Sequence, residues 1–156
     1  MNDLKCPCGH GSYVTCCEPL HLRQAYAGAA EQLMRSRYSA FAKQQIDYII
    51  QTTAIGQQAQ LDAAALAAWS TQNEWNKLEI VAFEPKIGSK HAMVEFKAYY
   101  VAELQPQVHH EQSYFVQYQQ HWYFLDPTVD AFPTMKQVCL CGSGKKYKHC
   151  CAPFID

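Results

Sequence analysis

An α+β fold, with helices packed on an antiparallel sheet, is what the 156-residue sequence predicts. Three features predict it. Helix-period apolar residues fill the first half after residue 26, period-two alternation takes over after Trp75, and the eight cysteines stand apart at the two ends. The chain is long enough for one domain with small additions, and 49% hydrophobic residues suffice for a core. A formal charge of −1 and 13% aromatic residues exclude disorder as the main description. No run of about 18 apolar residues is present, so no membrane span is expected. The start, Met1 to Cys6, lacks the apolar run of a secretion signal, and the expected address is cytoplasmic.

Taken in order, Ala27 to Lys43 carries apolar residues at Ala30, Leu33, Met34, Tyr38 and Phe41, one stripe of a helix. Asp47 opens a short second helix bearing Ile49 and Ile50. Gly56 and the glutamines at 57, 58 and 60 read as a polar loop. Asp62 is placed to cap a third helix, Ala63 to Gln72, with Leu66 and Trp69 inward. Leu78 to Phe83 then reads as a strand ended by Glu84-Pro85. His91 to Val101 is a longer one, with Ala92, Val94, Phe96, Ala98 and Tyr100 on one face. Glu111 to Tyr118 and His121 to Leu125 make a hairpin across Gln119-Gln120. A curved meander of this kind encloses either a filled core or an apolar pocket beneath the helices.

One residue interrupts the helical stripe. At about 100° per residue Arg37 falls between Leu33 and Phe41, near the centre of the apolar arc, while Arg35 falls outside it. A core-facing guanidinium needs partners. Glu111 and Asp126 are the candidates, either as an ion pair bracing helix to sheet or, with Tyr38, as a ligand-binding pocket. His109-His110 are candidate bases, equally readable as a hairpin shoulder. No nucleophile pattern accompanies them, which leans against an enzyme.

The cysteines follow one plan twice. Cys6, Cys8, Cys16 and Cys17 form C-x-C-G-x-G, an aromatic residue, then C-C; Cys139, Cys141, Cys150 and Cys151 repeat it. The spacer between the pairs is seven residues in the first copy and eight in the second. Four clustered thiolates match the tetrahedral demand of zinc, and a closed shell of four makes each site structural. Glycines beside the first pair allow the tight turn that two alternating ligands require. Disulfides fit poorly, because reducing compartments keep thiols free and near-neighbour pairs are strained. A redox role usually needs one exposed thiolate rather than four together. His10 and His149 are spare imidazole donors. Lys145, Lys146 and Lys148 compensate the thiolate charge around the second site or form a partner surface.

These modules resemble SEC-C motifs, the small zinc knuckle at the end of the bacterial preprotein-translocase motor. The whole chain resembles the bacterial YchJ family through the first motif, Leu33-Met34-Arg35-Ser36-Arg37-Tyr38-Ser39-Ala40-Phe41, His110-Glu111 with Ser113 and Phe115, Trp122-Tyr123-Phe124-Leu125-Asp126, and the second motif. The resemblance implies an NTF2-like cone over 27–132, flanked by SEC-C knuckles at 1–20 and 136–154, with up to two structural zinc ions. The first copy departs from the pattern in its shorter spacer, in His10 where serine is usual, and in lacking the basic residues. The fold hosts isomerases, dehydratases and binding domains alike, so it leaves activity open. Three functions follow as expectations. The first is a protein-docking adaptor, as SEC-C contacts a chaperone and the ribosome on the translocase motor. The second is a ligand pocket around Arg37, Tyr38, Glu111 and Asp126, and the third is ribosome or RNA contact through the basic second knuckle. A dimer through the exposed sheet face is expected by analogy with the fold.

Overall fold

Alternation of apolar residues in the second half of the chain builds one antiparallel sheet in the order β1 (Asn73–Glu84), β2 (His91–Ala102), β3 (Gln105–Tyr118), β4 (His121–Leu125). The computed structural model describes residues 4–155; the first three residues of the expected N-terminal module lie outside that range. Two irregularities in β1, at Trp75/Lys77 and Ile80/Ala82, bend the strand and let the sheet curl. Both inner hairpins turn on pairs of left-handed residues, Glu103-Leu104 and Gln119-Gln120. Strands β1 and β3 run longer than the apolar alternation alone indicates. Gln105 to His110 is exposed and polar, yet it pairs residue for residue with β2.

Among the described residues five α-helices accompany the sheet: α1 (Glu18–His21), α2 (Ala30–Lys43), α3 (Ile46–Gln51), α4 (Ala63–Gln72) and α5 (Ala152–Ile155). Helix α2 begins three residues later than the sequence indicates, because the Gln32 side chain reaches back to accept from the Gly28 N–H at 2.7 Å. Helix α3 carries both Ile49 and Ile50 as expected, opens one residue earlier at Ile46, and buries Tyr48 and Ile49. Asp62 caps α4 as expected, accepting from the Ala65 N–H at 3.1 Å. Trp69 is half-exposed instead of fully inward. The glutamine-rich stretch is not a loose loop but a 3-10 turn, Ile55–Gln60. Its Gln57 is fully buried and holds both backbone polar groups of Asp126.

Helix α2 is buried over most of its length, with Gln32 exposed. Leu33, Met34, Tyr38 and Ala40 pack toward the sheet with Leu78, Val94, Phe96 and Phe115. The opposite side is covered by the first cysteine module, whose Cys6, Cys8, Cys17 and Leu20 belong to the same core. Arg35, read from the periodicity as outward, donates to the Cys8 carbonyl at 3.0 Å and pairs with Glu31. The second module packs elsewhere. Its four cysteines, Leu140 and Tyr147 join Ala54, Val116 and Leu125. Adjacent strand residues point to opposite faces, so Phe115 and Val116 assign the two modules to opposite sides of the sheet.

Candidate metal centres and the central cavity

In the first module a short bridge between Lys5 and Ser12 folds the chain back on itself. The Cys6 N–H donates to the Gly11 carbonyl at 2.8 Å and the Gly9 N–H to the Cys6 carbonyl at 2.9 Å. Gly9 turns at φ +93°, a left-handed geometry that side chains resist. This loop lifts Cys6 and Cys8 to one side, and Cys16-Cys17 return at the head of α1. The second module repeats the construction. Val138 bridges Lys146, the Cys139 N–H donates to the Lys145 carbonyl at 2.7 Å, and Gly142 turns at φ +92°. Each Cys-Cys pair leads into a one-turn helix with proline at its second position, Pro19 or Pro153.

Each tetrad brings its four sulfurs within 4.8 Å of one another. Cys8 to Cys16 is 3.6 Å and Cys16 to Cys17 is 3.8 Å; Cys141 to Cys150 is 3.5 Å and Cys150 to Cys151 is 3.9 Å. A zinc ion at about 2.3 Å from four thiolates spaces them by about 3.8 Å, whereas a disulfide needs about 2.05 Å. All eight cysteines are unpaired. The donor set therefore fits a tetrahedral dication, and both tetrads can hold a metal ion. His10 and His149 are exposed and belong to neither cluster.

Thiol ionisation shows why such clusters want a cation. Hydrogen bonds from Cys17 and then Cys8 hold Cys6 far below the ordinary thiol range, and the bond with Cys6 drives Cys17 far above it. Burial, reinforced by Cys8, pushes Cys16 up to about 12. In the second tetrad Cys139 and Cys151 hold Cys141 down, while its bond to Cys141 lifts Cys139 to about 11. Cys151 is pushed far up by Cys139 and Cys141. Crowded sulfurs thus share little negative charge unless a metal ion replaces the protons. Neighbours orient the sulfurs further. Ser39 Oγ lies 3.6 Å from Cys6, and His91 Nε2 lies 3.2 Å from Cys151 while its ring stacks on Phe154 at 4.0 Å. Burial lowers His91 to about 4, which keeps this imidazole neutral.

Between α2 and the curved sheet lies a cavity of about 430 Å³. Arg37, Tyr38, Glu111 and Asp126 all line it, so the structure brings the four pocket candidates together. It does not pair them as the sequence suggests. Among the described residues Arg37 forms no ion pair. Its Nη1 donates to the Ile49 carbonyl at 2.8 Å, to Thr52 Oγ1 at 2.8 Å and to Thr53 Oγ1 at 3.3 Å. The guanidinium also lies 4.5 Å over the Phe124 ring. The end of α3 sits closer to Arg37 than either carboxylate and supplies a carbonyl and two hydroxyls. Burial lowers Arg37 to about 10, with Asp126, Tyr48 and Glu111 pulling the other way, so it stays charged at neutral pH.

Glu111 is held instead on its own strand. His109 Nε2 lies 2.9 Å from one carboxylate oxygen and Ser113 Oγ donates to the other. Burial pushes Glu111 up, but His109, Ser113 and the Arg37 charge outweigh it and leave the carboxyl below its usual range. Asp126 Oδ1 takes the Thr128 N–H at 2.8 Å and the Thr128 hydroxyl at 2.6 Å. Alternation separates the two histidines. His109 faces the cavity, whereas His110 bonds Glu95 at 2.6 Å on the outer face. Burial pushes the Tyr38 hydroxyl up to about 12.

Sequence reasoning passed over the aromatic wall, since tyrosines and tryptophans on strands usually mean core. Trp69, Trp75 and Tyr100 all line the cavity, with ring centroids 5.2–5.9 Å apart. The strand spacing of His109, Glu111 and Ser113 was the available signal for the polar side. Lys145, Lys146 and Lys148 are exposed on the second knuckle, and Lys145 and Lys148 border a groove that also contains Lys90. No helix among the described residues is long and apolar enough to cross a membrane.

Comparison with known proteins agrees with this architecture. A family model described as YchJ, middle NTF2-like domain, matches residues 29–127, and one for the SEC-C motif matches residues 135–153. UPF0225 proteins of Actinobacillus succinogenes and Haemophilus influenzae are each 48% identical over 151 residues. The alignment covers 96% of this chain and 97% or 92% of theirs. A SEC-C motif containing protein from Psychrobacter arcticus, known from a crystal structure, superposes with a TM-score of 0.89 at 42% identity, covering 97% of both chains. One from Rhodopseudomonas palustris, solved in solution, gives 0.72 at 34% identity over 79% of this chain and 96% of its own. Sequence and fold agree from end to end, and the chain belongs to the YchJ (UPF0225) family.

Proposed function

We propose that this protein binds a small organic ligand in the cavity of its NTF2-like domain, with two structural zinc ions bracing the domain from opposite faces. One observation carries the reading. Arg37 is a buried, charged guanidinium that spends a single nitrogen on the protein while lining a cavity of about 430 Å³. Ligand pockets of this size are mostly apolar with a few convergent polar groups, and this one adds Glu111, His109 and Asp126 to an aromatic wall. The zinc sites stand apart from the cavity. Four sulfurs close each shell, so the metal contributes folding energy rather than chemistry. Eight unpaired cysteines fit a reducing, cytoplasmic setting.

The test is a thermal-shift screen of two-ring fragments against the native protein and Ala98→Phe, which fills the cavity from β2. Fragments that raise the native midpoint should leave the filled variant unmoved. Equal shifts in both proteins would set the pocket reading aside. Metal analysis should give two zinc ions per chain, falling to one in Cys151→Ala and in Cys16→Ala.

The adaptor reading is favoured by a different observation, the exposed run Lys145, Lys146 and Lys148 beside Lys90. It offers a basic face to an acidic protein surface. Lys145→Glu with Lys148→Glu should abolish capture of any partner taken by the native chain, and retained capture would remove the reading. Co-sedimentation with ribosomes that weakens with salt and with the same reversals would point to RNA instead.

A further inference from the structure

The cavity has two chemically different sides, and strand order separates them. Trp75 on β1 stands opposite Tyr100 on β2, and Trp69 of α4 touches both rings. Glu111 and His109 lie on β3, and Asp126 follows β4. Trp75 is two strands away from β3 and Tyr100 one, and Glu111 pairs with Phe96, four residues along β2 from Tyr100. Helix α2 roofs the gap and places Arg37 on the polar side, fixed over Phe124. A flat body of two rings fits against the aromatic side while its substituents reach Arg37.

Charge decides what those substituents are. Among the described residues no acceptor meets the Nε and Nη2 groups of Arg37, so the ligand must bring an oxygen acceptor. A carboxylate is disfavoured. Arg37 and a protonated His109 balance Glu111 and Asp126, and with His109 neutral one negative charge is in excess. In neither state is there spare positive charge for an anion, and the aromatic wall keeps the local dielectric low. A neutral carbonyl oxygen accepts from Arg37 without adding charge. A hydroxyl next to that carbonyl can donate to a carboxylate oxygen, since both carboxylates accept only.

Resting on the pocket reading, we infer that the cavity takes a neutral, flat, two-ring hydroxyketone, with its carbonyl oxygen on Arg37, its hydroxyl toward Glu111, and its rings against Trp75 and Tyr100. The chain has three tryptophans, and in a Trp122→Phe background Trp69 and Trp75 alone report on the cavity. That protein is titrated by fluorescence with 2-hydroxy-1-tetralone, with 1-tetralone lacking the hydroxyl, and with 1-naphthoate as the anionic counterpart. The hydroxyketone should quench saturably and bind about tenfold more tightly than 1-naphthoate, and several-fold more tightly than 1-tetralone. Arg37→Lys keeps the charge but loses the second and third donors, and should weaken the hydroxyketone by about tenfold. Tighter binding of 1-naphthoate, or unchanged binding in Arg37→Lys, overturns the head-group assignment while leaving the cavity a ligand site. Absence of saturable quenching by all three compounds overturns the assignment as well. The fragment screen against Ala98→Phe then decides separately whether the cavity binds anything.

Discussion

The backbone N–H of Gly56 donates to the carbonyl of Leu140 at 2.6 Å, joining the 3-10 turn before α4 to the loop between the first two cysteines of the second knuckle. A Cβ at Gly56 would stand 2.7 Å from that carbonyl oxygen and 2.9 Å from Leu140 Cα. Both obstacles are backbone atoms, which cannot swing aside as a side chain would. Gly56→Ala is therefore expected to destabilise the zinc-loaded protein by about 1–3 kcal/mol. Zinc at the second knuckle should also exchange faster. Urea unfolding and metal-exchange rates read both effects, and an unchanged midpoint would show that the knuckle is not fixed at this point.

Gln57, the next residue, is a fully buried amide that satisfies the backbone of Asp126 in both directions, at 2.7 and 3.0 Å. Gln57→Leu keeps most of the volume but leaves two part-buried backbone groups of Asp126 without their partner, a loss of about 1–3 kcal/mol. Amide exchange at Asp126 should accelerate by more than at the centre of β2. If protection at Asp126 is unaltered, the amide pair is not what holds the end of β4.

These two positions also show where sequence reading stops. The stripe of α2, the Asp62 cap, the face of β2 and both tetrads were legible because each rests on local spacing or on a chemical repeat. Gln57 and Gly56 were not, because their partners lie 69 and 84 residues away and glutamine in a polar run looks solvated. Gln105 to His110 has no apolar alternation of its own and is a strand through pairing with β2. Arg37 was recognised as inward, but its partners were sought among acidic residues. The carbonyl and hydroxyls at the end of α3 became visible only once α3 packed against α2. Spacing also says nothing about which face of the sheet each knuckle covers.

The two tetrads differ in exposure. Cys16 is partly exposed, whereas the other seven cysteines are buried. Chelator access should follow the same order. With two zinc ions loaded, a colorimetric chelator at neutral pH should remove one equivalent quickly and the second slowly. Cys16→Ala should lack the fast equivalent and keep the slow one. Equal release rates, or a fast phase that survives in Cys16→Ala, would contradict the assignment of the labile ion to the first knuckle.

The His109–Glu111 contact carries a signed pH dependence. Its hydrogen bond to Glu111 raises His109 above its ordinary 6.5. Burial acts against Glu111, but His109 and Ser113 pull it below its ordinary 4.5. A raised histidine stabilises the fold fully below its unfolded value and loses that contribution as pH rises through the folded value. A lowered carboxyl stabilises the fold above its unfolded value and loses the contribution as pH falls through the folded one. The charged pair therefore contributes most between about 4.5 and 6.5. The His109 side chain is 55% exposed, and solvent screening limits the effect to about 0.5–1 kcal/mol. His109→Gln keeps a neutral donor near Glu111 and removes only the charge. Urea midpoints of the two proteins should differ most near pH 5.5 and converge near pH 3 and pH 9. A difference independent of pH would mean that the contact is a neutral hydrogen bond, and that His109 brings no positive charge to the wall of the cavity.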